Sequence, residues 1–487
     1  MANYDYDLGI IGGGAAGLTA AAGAARLGAK VLLVEKEKSL GGDCLHYGCV
    51  PSKTLIHVSR VWRQTRRLGR LGLPALDLPA VEFSRVADRI REVIATIQKH
   101  DSYERFCGLG VRVAFGDATF ADEHALSLVT PDRSERCTAR SWLVATGSSA
   151  ALPDFQGLTS TPFLTNRELF SLPELPASLI VLGGGPIAVE MAQAFQRLGS
   201  AVTVVQRSDQ ILRREDKDLA DRVQLQLEDE GVAFRLGCRV LRVGDTGATR
   251  EVFVADATGA EVALSAAAIL VATGRAPNVA GLGLENAGVV YAAAGIPTDR
   301  RMRTNQKHIY AAGDVTGQYQ FTHAAGYEAG VVLANAIFRL PRKVDYTYMP
   351  WCTYVSPELA SLGLNEKAAK KLGVDYDLHV ESFEDNDRAL TEDEPSGLLK
   401  LLLDKKGKGL GVQILGPRAG DLLAEWIAAF HGKVGLATLA SAVHPYPTLA
   451  EINKRVAGAV VGKKIFSDKV KKVLKTLFDL KGRACGI

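Results

Sequence analysis

Apolar positions fall in short runs separated by glycine-rich turns, with alanine-rich or amphipathic stretches between them. Residues 8–11 form one such run, of strand length and too short for a helix. Gly12-Gly13-Gly14-Ala15-Ala16-Gly17 follows, then an alanine-rich stretch to Leu27 that predicts a helix. A second apolar run, residues 31–34, ends at Glu35. Strand, G-x-G-x-x-G turn, helix, strand and acid, in this order, predict a parallel βαβ unit built around a dinucleotide. Gly12 permits the turn, Gly14 lets the backbone approach a pyrophosphate, and Gly17 lets helix and strand pack closely. The helix N-terminus stabilises phosphate, and Glu35 can hydrogen-bond a ribose hydroxyl.

The pattern recurs. Residues 179–182 are apolar and lead into Gly183-Gly184-Gly185-Pro186-Ile187-Ala188, a helix through Leu198 and a run at 201–205 that ends at Gln206. Gly12 to Glu35 and Gly183 to Gln206 are both 23 residues apart. Ala145-Thr146-Gly147 and Ala272-Thr273-Gly274 close the two units, each after an apolar strand. Gly147, Gly183, Gly185 and Gly274 are therefore further candidates for nucleotide contact. Two dinucleotide sites predict an electron relay with one bound and one exchanging nucleotide. After Pro341 the pattern changes to mixed strands and helices, for example residues 398–403, 411–414 and the helix 421–430. The predicted fold is α/β: two Rossmann-like dinucleotide-binding domains and a C-terminal α+β domain. The expected bounds are 1–150 with 278–345, 151–277, and 346–465, followed by a tail at 466–487.

Composition narrows the class. The chain has 487 residues, 47% hydrophobic and 23% charged, ordinary for a globular enzyme. A net charge of +4 gives no footing for a nucleic-acid partner. No apolar run reaches the ~18–20 residues that span a membrane. The N-terminus lacks the basic segment of a signal peptide, so the cytoplasm is the expected compartment. Seven cysteines in so long a chain do not make a secreted disulfide framework. Cys107, Cys137, Cys238 and Cys352 carry no assigned role.

Cys44 and Cys49 are different. They lie in Gly41-Gly42-Asp43-Cys44-Leu45-His46-Tyr47-Gly48-Cys49-Val50-Pro51-Ser52-Lys53. In a regular helix, Cα atoms five residues apart are roughly 8–9 Å apart. A disulfide takes about 4.4–6.8 Å. A bridge therefore requires a distorted turn, which Gly48 permits. No second Cys/His pair with zinc-like spacing accompanies them. A redox-active dithiol inside the first nucleotide unit is the reading that fits.

Here the chain resembles the flavoprotein disulfide reductases, the class I pyridine nucleotide-disulfide oxidoreductases that include glutathione reductase, dihydrolipoyl dehydrogenase and mercuric reductase. The resemblance covers roughly residues 5–460. It rests on GGxCxxxGCxPSK, both glycine fingerprints and Ile309-Tyr310-Ala311-Ala312-Gly313-Asp314. It implies FAD in the first unit, held by Gly12, Gly14, Gly17 and Glu35, with Asp314 on the ribityl chain. It implies that Cys49 lies beside the flavin and Cys44 meets the substrate. It places Lys53 near the flavin, paired with Glu190. It also implies a homodimer through the third domain, each active site borrowing residues from the partner chain.

Two departures shape the expected activity. The second unit ends in Gln206, whereas an acid there would repel a 2′-phosphate. Arg207 follows, with Arg213 and Arg214 beyond, and guanidinium groups suit phosphate. NADPH is expected over NADH. Dithiol reductases of the resembled family carry His-Pro-Thr-x-x-Glu near the C-terminus, with His as acid–base. Here the segment is Tyr446-Pro447-Thr448-Leu449-Ala450-Glu451. A His with pKa ~6.5 exchanges protons near neutrality, but a Tyr at ~10 stays protonated. Loss of a positioned base costs about 10²–10⁴ in rate. Reduction of a soft metal ion needs thiolates more than this base.

Mercuric reductase also has Tyr here, and resembles this chain in Met191-Ala192-Gln193-Ala194-Phe195. Its N-terminal metal-binding domain is missing, and its C-terminal cysteine pair is reduced to Cys485 beside Ala484. Asp43 replaces the usual Thr, and a carboxylate there is expected to raise the Cys44 pKa. The first reading is a mercuric-reductase-like enzyme reducing Hg(II), with Cys44 and Cys49 as transient ligands, or another soft acceptor. The second is a dihydrolipoyl-type thiol/disulfide oxidoreductase with His46 or His444 as substitute base. The third is a redox component docked to a membrane or protein partner through residues 463–483. That tail has eight basic and two acidic side chains, with Phe466, Val470, Val473, Leu477 and Leu480 at helical spacing. The five arginines from Arg60 to Arg70 read as a solvated helix face.

Overall fold

The computed structural model describes residues 3–482 and 484. Two compact units divide the chain: Met1–Leu212 with Gln224–Asp345, and Arg213–Val223 with Tyr346–Ile487. Among the described residues no helix is long and apolar enough to cross a membrane.

The first unit opens with β1 (Tyr6–Ile11), α1 (Ala15–Arg26) and β2 (Val31–Glu35). Next come α2 (Gly42–His46), α3 (Cys49–Thr65), α4 (Phe83–Gln98) and α5 (Tyr103–Gly108). β3 (Val111–Phe115), β4 (Asp117–Phe120), β5 (Ala125–Val129) and β6 (Ser134–Val144) complete most of a sheet of order β3-β2-β1-β6-β5-β4. β1 pairs in parallel with both β2 and β6, and all but one of its residues are buried. That explains its run of apolar residues without alternation. Trp142 of β6 is fully buried and meets Phe120 edge-on at 5.8 Å. Its ring fills the space over Gly9, where a Cβ would lie 2.0 Å from the indole.

A second parallel sheet lies in the same unit. After β7 (Ser148–Ala150) come β8 (Ser178–Leu182), α6 (Pro186–Leu198), β9 (Ala201–Gln206), α7 (Lys217–Asp229) and β10 (Ala233–Leu236). A meander of β11 (Arg239–Asp245), β12 (Arg250–Ala255) and β13 (Glu261–Ala266) forms its own antiparallel sheet. β14 (Ala268–Val271) completes the order β10-β9-β8-β14. β15 (Arg275–Pro277) pairs with β7, and β16 (Ile309–Ala311) returns to pair with β6 of the first sheet. α8 (Thr322–Ala336) follows.

The duplication extends to the turns. Gly12 has φ +108 and Gly183 φ +119, and a Cβ on either would lie 2.3 Å from the carbonyl oxygen of Ala145 or Ala272. Each turn is thus pressed against the strand that closes its own unit. Only glycine fits a left-handed backbone at that separation.

The second unit holds a five-stranded antiparallel sheet, β17-β18-β21-β20-β19. Its strands are β17 (Pro350–Thr353), β18 (Glu358–Gly363), β19 (Asp377–Ser382), β20 (Leu398–Leu403) and β21 (Gly409–Gly416). α9 (Glu366–Leu372) and α10 (Asp387–Thr391) connect them. α11 (Ala419–His431), α12 (Leu436–Ser441), α13 (Glu451–Ile465) and α14 (Asp468–Phe478) follow. Trp426 is fully buried and donates to Asn453 Oδ1 at 2.7 Å, so its indole N–H is satisfied within the core. Burying such a side chain contributes about 1.5–3 kcal/mol.

Residues 213–223, expected in the second nucleotide domain and including the first part of α7, group with this unit. Glu215 accepts from Ser361 and Gln413 at 2.8 Å each. Asp216 pairs with buried Lys400 at 3.0 Å. The tail also differs from expectation. α13 stops at Ile465, Ser467 is extended, and α14 ends at Phe478, so Phe466 and Leu480 lie off the helix. Arg483 and Cys485 lie outside the described residues.

Candidate active site

The redox segment is two helices broken at Tyr47-Gly48. α2 carries Cys44, and Cys49 is the first residue of the 17-residue α3. The break brings the two thiols close enough for each to shift the other's pKa, which a continuous helix would not allow. Gly48 is required by close approach. A Cβ there would lie 2.9 Å from Asp43 O and 3.2 Å from Cys44 Cα.

The pair is electrostatically uneven. Cys49 is lowered to about 6, first by the hydrogen bond from Cys44, then by Thr322 and the charge of Lys53. Its place at a helix N-terminus acts in the same direction. Cys44 is pushed well up by the hydrogen bond it gives to Cys49, by burial and by the Cys49 charge. The Thr322 hydroxyl, at the start of α8, lies 3.4 Å from Cys49 Sγ. Lys53 Nζ lies 2.7 Å from Glu190 Oε2, and that carboxylate is nearly fully buried. Negative charge is thus favoured at Cys49 over Cys44.

Asp43 is not among the leading causes of the rise at Cys44. Its carboxylate pairs with Arg275 at 3.0 Å and accepts from Asn166 Nδ2 at 3.0 Å. The rise at Cys44 comes first from the hydrogen bond to Cys49, then from burial and the Cys49 charge. Arg275 also donates to Ser148 Oγ and O at 2.7 Å each and lies 3.7 Å from Asp314. Asp314 accepts from Ser148 Oγ at 2.5 Å, and burial raises its pKa. One guanidinium therefore ties the Cys44 helix to the carboxylate expected on the flavin side chain. Neither Arg275 nor Asn166 stood out in the sequence, although Arg275 directly follows Ala272-Thr273-Gly274. Thr322 carried no sequence signal.

The first glycine turn fits a dinucleotide. Among the described residues no side chain caps α1, whose N-cap is Gly14. A Cβ on Gly14 would meet nothing nearer than Gly42 Cα at 3.9 Å, so a ligand can approach the backbone there. A Cβ on Gly17 would lie 1.8 Å from Gly12 O, so α1 and its turn touch. Glu35 is buried and accepts from Gly13 N at 2.7 Å and Glu37 N at 2.8 Å, which holds the carboxylate beside the turn. Gly147 has φ +69.

In the second turn, Gly185 has open space on its Cβ side and again no side chain among the described residues caps the helix. Gly274 has φ +145. Gln206 Nε2 donates to Ser208 Oγ at 3.2 Å. Arg207 and Arg213 are both exposed, Arg207 in the first unit and Arg213 in the second.

Tyr446 and Glu451 also belong to the second unit. Tyr446 is 71% exposed and donates to Asp387 Oδ2 at 2.7 Å. That hydrogen bond, then the Asp387 and Glu451 charges, raise its pKa. Asp387 is a partner that sequence reasoning missed. Glu451 is the first residue of α13. His444 has both ring nitrogens engaged, Nε2 at 2.9 Å from Glu425 Oε1 and Nδ1 at 3.2 Å from Ala442 O. His46 Nε2 is 2.9 Å from Leu40 O. Of the basic face from Arg60 to Arg70, Arg63 turns inward to buried Glu230 at 3.3 Å.

A glycine-turn flavin site beside a polarised dithiol defines a flavoprotein disulfide oxidoreductase. Residues 6–329 match the pyridine nucleotide-disulphide oxidoreductase family, and residues 349–457 its dimerisation domain. The chain belongs to that family. It is an FAD-dependent oxidoreductase with a domain that supports homodimer formation. A mercuric reductase of Staphylococcus aureus is 32% identical over 449 residues, 92% of this chain and 81% of that protein. A dihydrolipoyl dehydrogenase of Bacillus subtilis is 34% identical over 449 residues, 91% of this chain and 96% of that one. The Cu(II) complex of the HOCl-induced flavoprotein disulfide reductase RclA from Escherichia coli superposes with a TM-score of 0.84. It is 28% identical, over 94% of this chain and all of that chain.

Proposed function

We propose that the protein uses NADPH to reduce a soft, thiophilic metal ion, Hg(II) first among them, through Cys44 and Cys49. The observation that carries this reading is Tyr446. It stands where dithiol reductases of the family place a histidine, and its hydroxyl is committed as a donor to Asp387 with a raised pKa. Such a group does not take up protons near neutrality. The thiolate needed to bind a soft ion is supplied independently by Cys49. Relatives named mercuric reductase, and the Cu(II) complex of RclA, support the same acceptor class.

FAD would be held by Gly12, Gly14, Gly17, Glu35, Gly147 and Asp314. When bound, it takes a hydride from the nicotinamide and hands on an electron pair. Gly183, Gly185, Gly274, Arg207 and Arg213 are assigned to NADPH, since Gln206 offers no charge to repel a 2′-phosphate. Lys53, fixed by Glu190, stabilises negative charge at Cys49. The thiols are the first ligands of the metal ion, and binding releases the Cys44 proton. Overall, NADPH and Hg(II) become NADP⁺, H⁺ and Hg(0): the nicotinamide loses two electrons and the metal gains them. Tyr446 and Glu451 act on the acceptor side.

The relatives named dihydrolipoyl dehydrogenase support a second reading, a thiol/disulfide oxidoreductase. Both ring nitrogens of His444 are engaged, and His46 Nε2 is held by Leu40 O, which counts against a substitute base for it. NADPH oxidation by the FAD-loaded enzyme, measured with Hg(II), Cu(II), lipoamide and glutathione disulfide, tests both. Metal-dependent turnover with Hg(0) release and weak lipoamide turnover is expected. Fast lipoamide turnover without metal stimulation overturns the proposal. NADPH should exceed NADH in kcat/KM by on the order of tenfold, and the reverse preference removes the Arg207 and Arg213 assignment.

A further inference from the structure

We propose that α14 docks the enzyme on an anionic membrane surface. α14 is a separate element beyond the dimerisation-domain match, which ends at residue 457. Extended Ser467 sets it off from α13, and Asp479 with φ +47 ends it. None of its residues is buried.

Its two faces are cleanly divided. At ~100° per residue, Val470, Val473, Leu474, Leu477 and Phe478 fall within an arc of about 140°. Lys469, Lys471, Lys472 and Lys475 take the remaining arc, with Asp468 and Thr476. Leu477 is 70% exposed and Phe478 68%, while Val473 and Leu474 are also open. An apolar stripe of this width in an 11-residue helix gains stability only by being covered.

The charge selects what covers it. Residues 463–482 hold seven lysines against two aspartates, an excess larger than the +4 of the whole chain. The rest of the molecule is therefore nearly neutral in sum, so the net positive charge comes from this tail. Lysine is depleted at the cores of protein interfaces. On a lipid surface, lysines flanking an apolar stripe reach the headgroups while their stems stay with the acyl chains. The helix is ~16 Å long, enough to lie in the interface and too short to cross the bilayer. Anionic lipid is the occupant whose chemistry matches both faces.

Co-sedimentation of the FAD-loaded full-length protein with vesicles tests this. Vesicles of phosphatidylcholine are compared with vesicles that also contain about 30 mol% phosphatidylglycerol. At least tenfold stronger partition to the anionic vesicles is expected, with most of it lost at about 0.5 M salt. A chain ending at residue 466, and a full-length variant with Lys469→Glu, Lys471→Glu, Lys472→Glu and Lys475→Glu, should both stay in the supernatant while oxidising NADPH normally. Equal sedimentation of the truncated and full chains overturns the proposal, as does equal binding to neutral vesicles. So does a truncated chain that sediments as a monomer where the full chain is a dimer, since the second copy would then be what covers α14.

Discussion

Cys49 and Cys44 are five residues apart and meet unlike surroundings. Around Cys49 lie a helix start, the Thr322 hydroxyl and the Lys53 ammonium, which favour charge at that sulfur, while the Glu190 carboxylate that holds Lys53 acts against it. Cys44 follows Asp43, whose carboxylate is paired with Arg275 and Asn166, and its own pKa is raised by Cys49 and by burial. Under the proposed roles, Cys49, expected beside the flavin, carries charge at neutral pH, and Cys44, expected to meet the substrate, gives up its proton only when something replaces it. A thiophilic metal ion can do so without a protein base, whereas a disulfide substrate needs the proton placed by one. The presence of Tyr446 in place of a histidine belongs to the same logic.

The largest test of this division is removal of either sulfur. Cys49→Ser and Cys44→Ser should each lower acceptor turnover by ~10³-fold or more, because the dithiol works as a unit. They should differ in colour: the flavin–thiolate charge-transfer absorbance should survive in Cys44→Ser and vanish in Cys49→Ser. The opposite result would reverse the assignment of the two sulfurs. A smaller effect is expected from Tyr446→His. Lipoamide turnover should rise by about 10–100-fold, and Hg(II) reduction should change less than about twofold. An unchanged lipoamide rate would show that position 446 does not limit disulfide chemistry.

The smallest effect sharpens the role of Asp43. In the reduced enzyme the charge-transfer absorbance should be present above about pH 6 and fade as pH falls through that value, when Cys49 takes up a proton. Asp43→Asn should leave that midpoint within ~0.5 unit. It should also lower unfolding stability by about 1 kcal/mol in urea denaturation, since Arg275 loses a partly exposed partner. A shift of a full unit would restore Asp43 as a direct influence on the pair.

Much of this was legible in the sequence, for reasons particular to each element. The glycine turns show because only glycine tolerates the approach of Gly12 to Ala145 and of Gly183 to Ala272. The strand–turn–helix order shows because buried parallel strands must be apolar throughout. The break at Gly48 follows from disulfide geometry. The ends of the tail helix were not legible, because periodicity carries across a kink such as Ser467 when the residues on both sides are equally amphipathic.

The sequence by itself determined the class of protein, the duplicated nucleotide-binding pattern and the position of the redox pair, since local spacing and backbone sterics dictate them. Tertiary structure alone decided the distant partners of the site. Arg275 lies 232 residues from Asp43, Thr322 lies 273 from Cys49, and Asp387 lies 59 from Tyr446. Electrostatic partners are chosen by distance in space, and that distance has no trace in the order of the residues until the chain has folded.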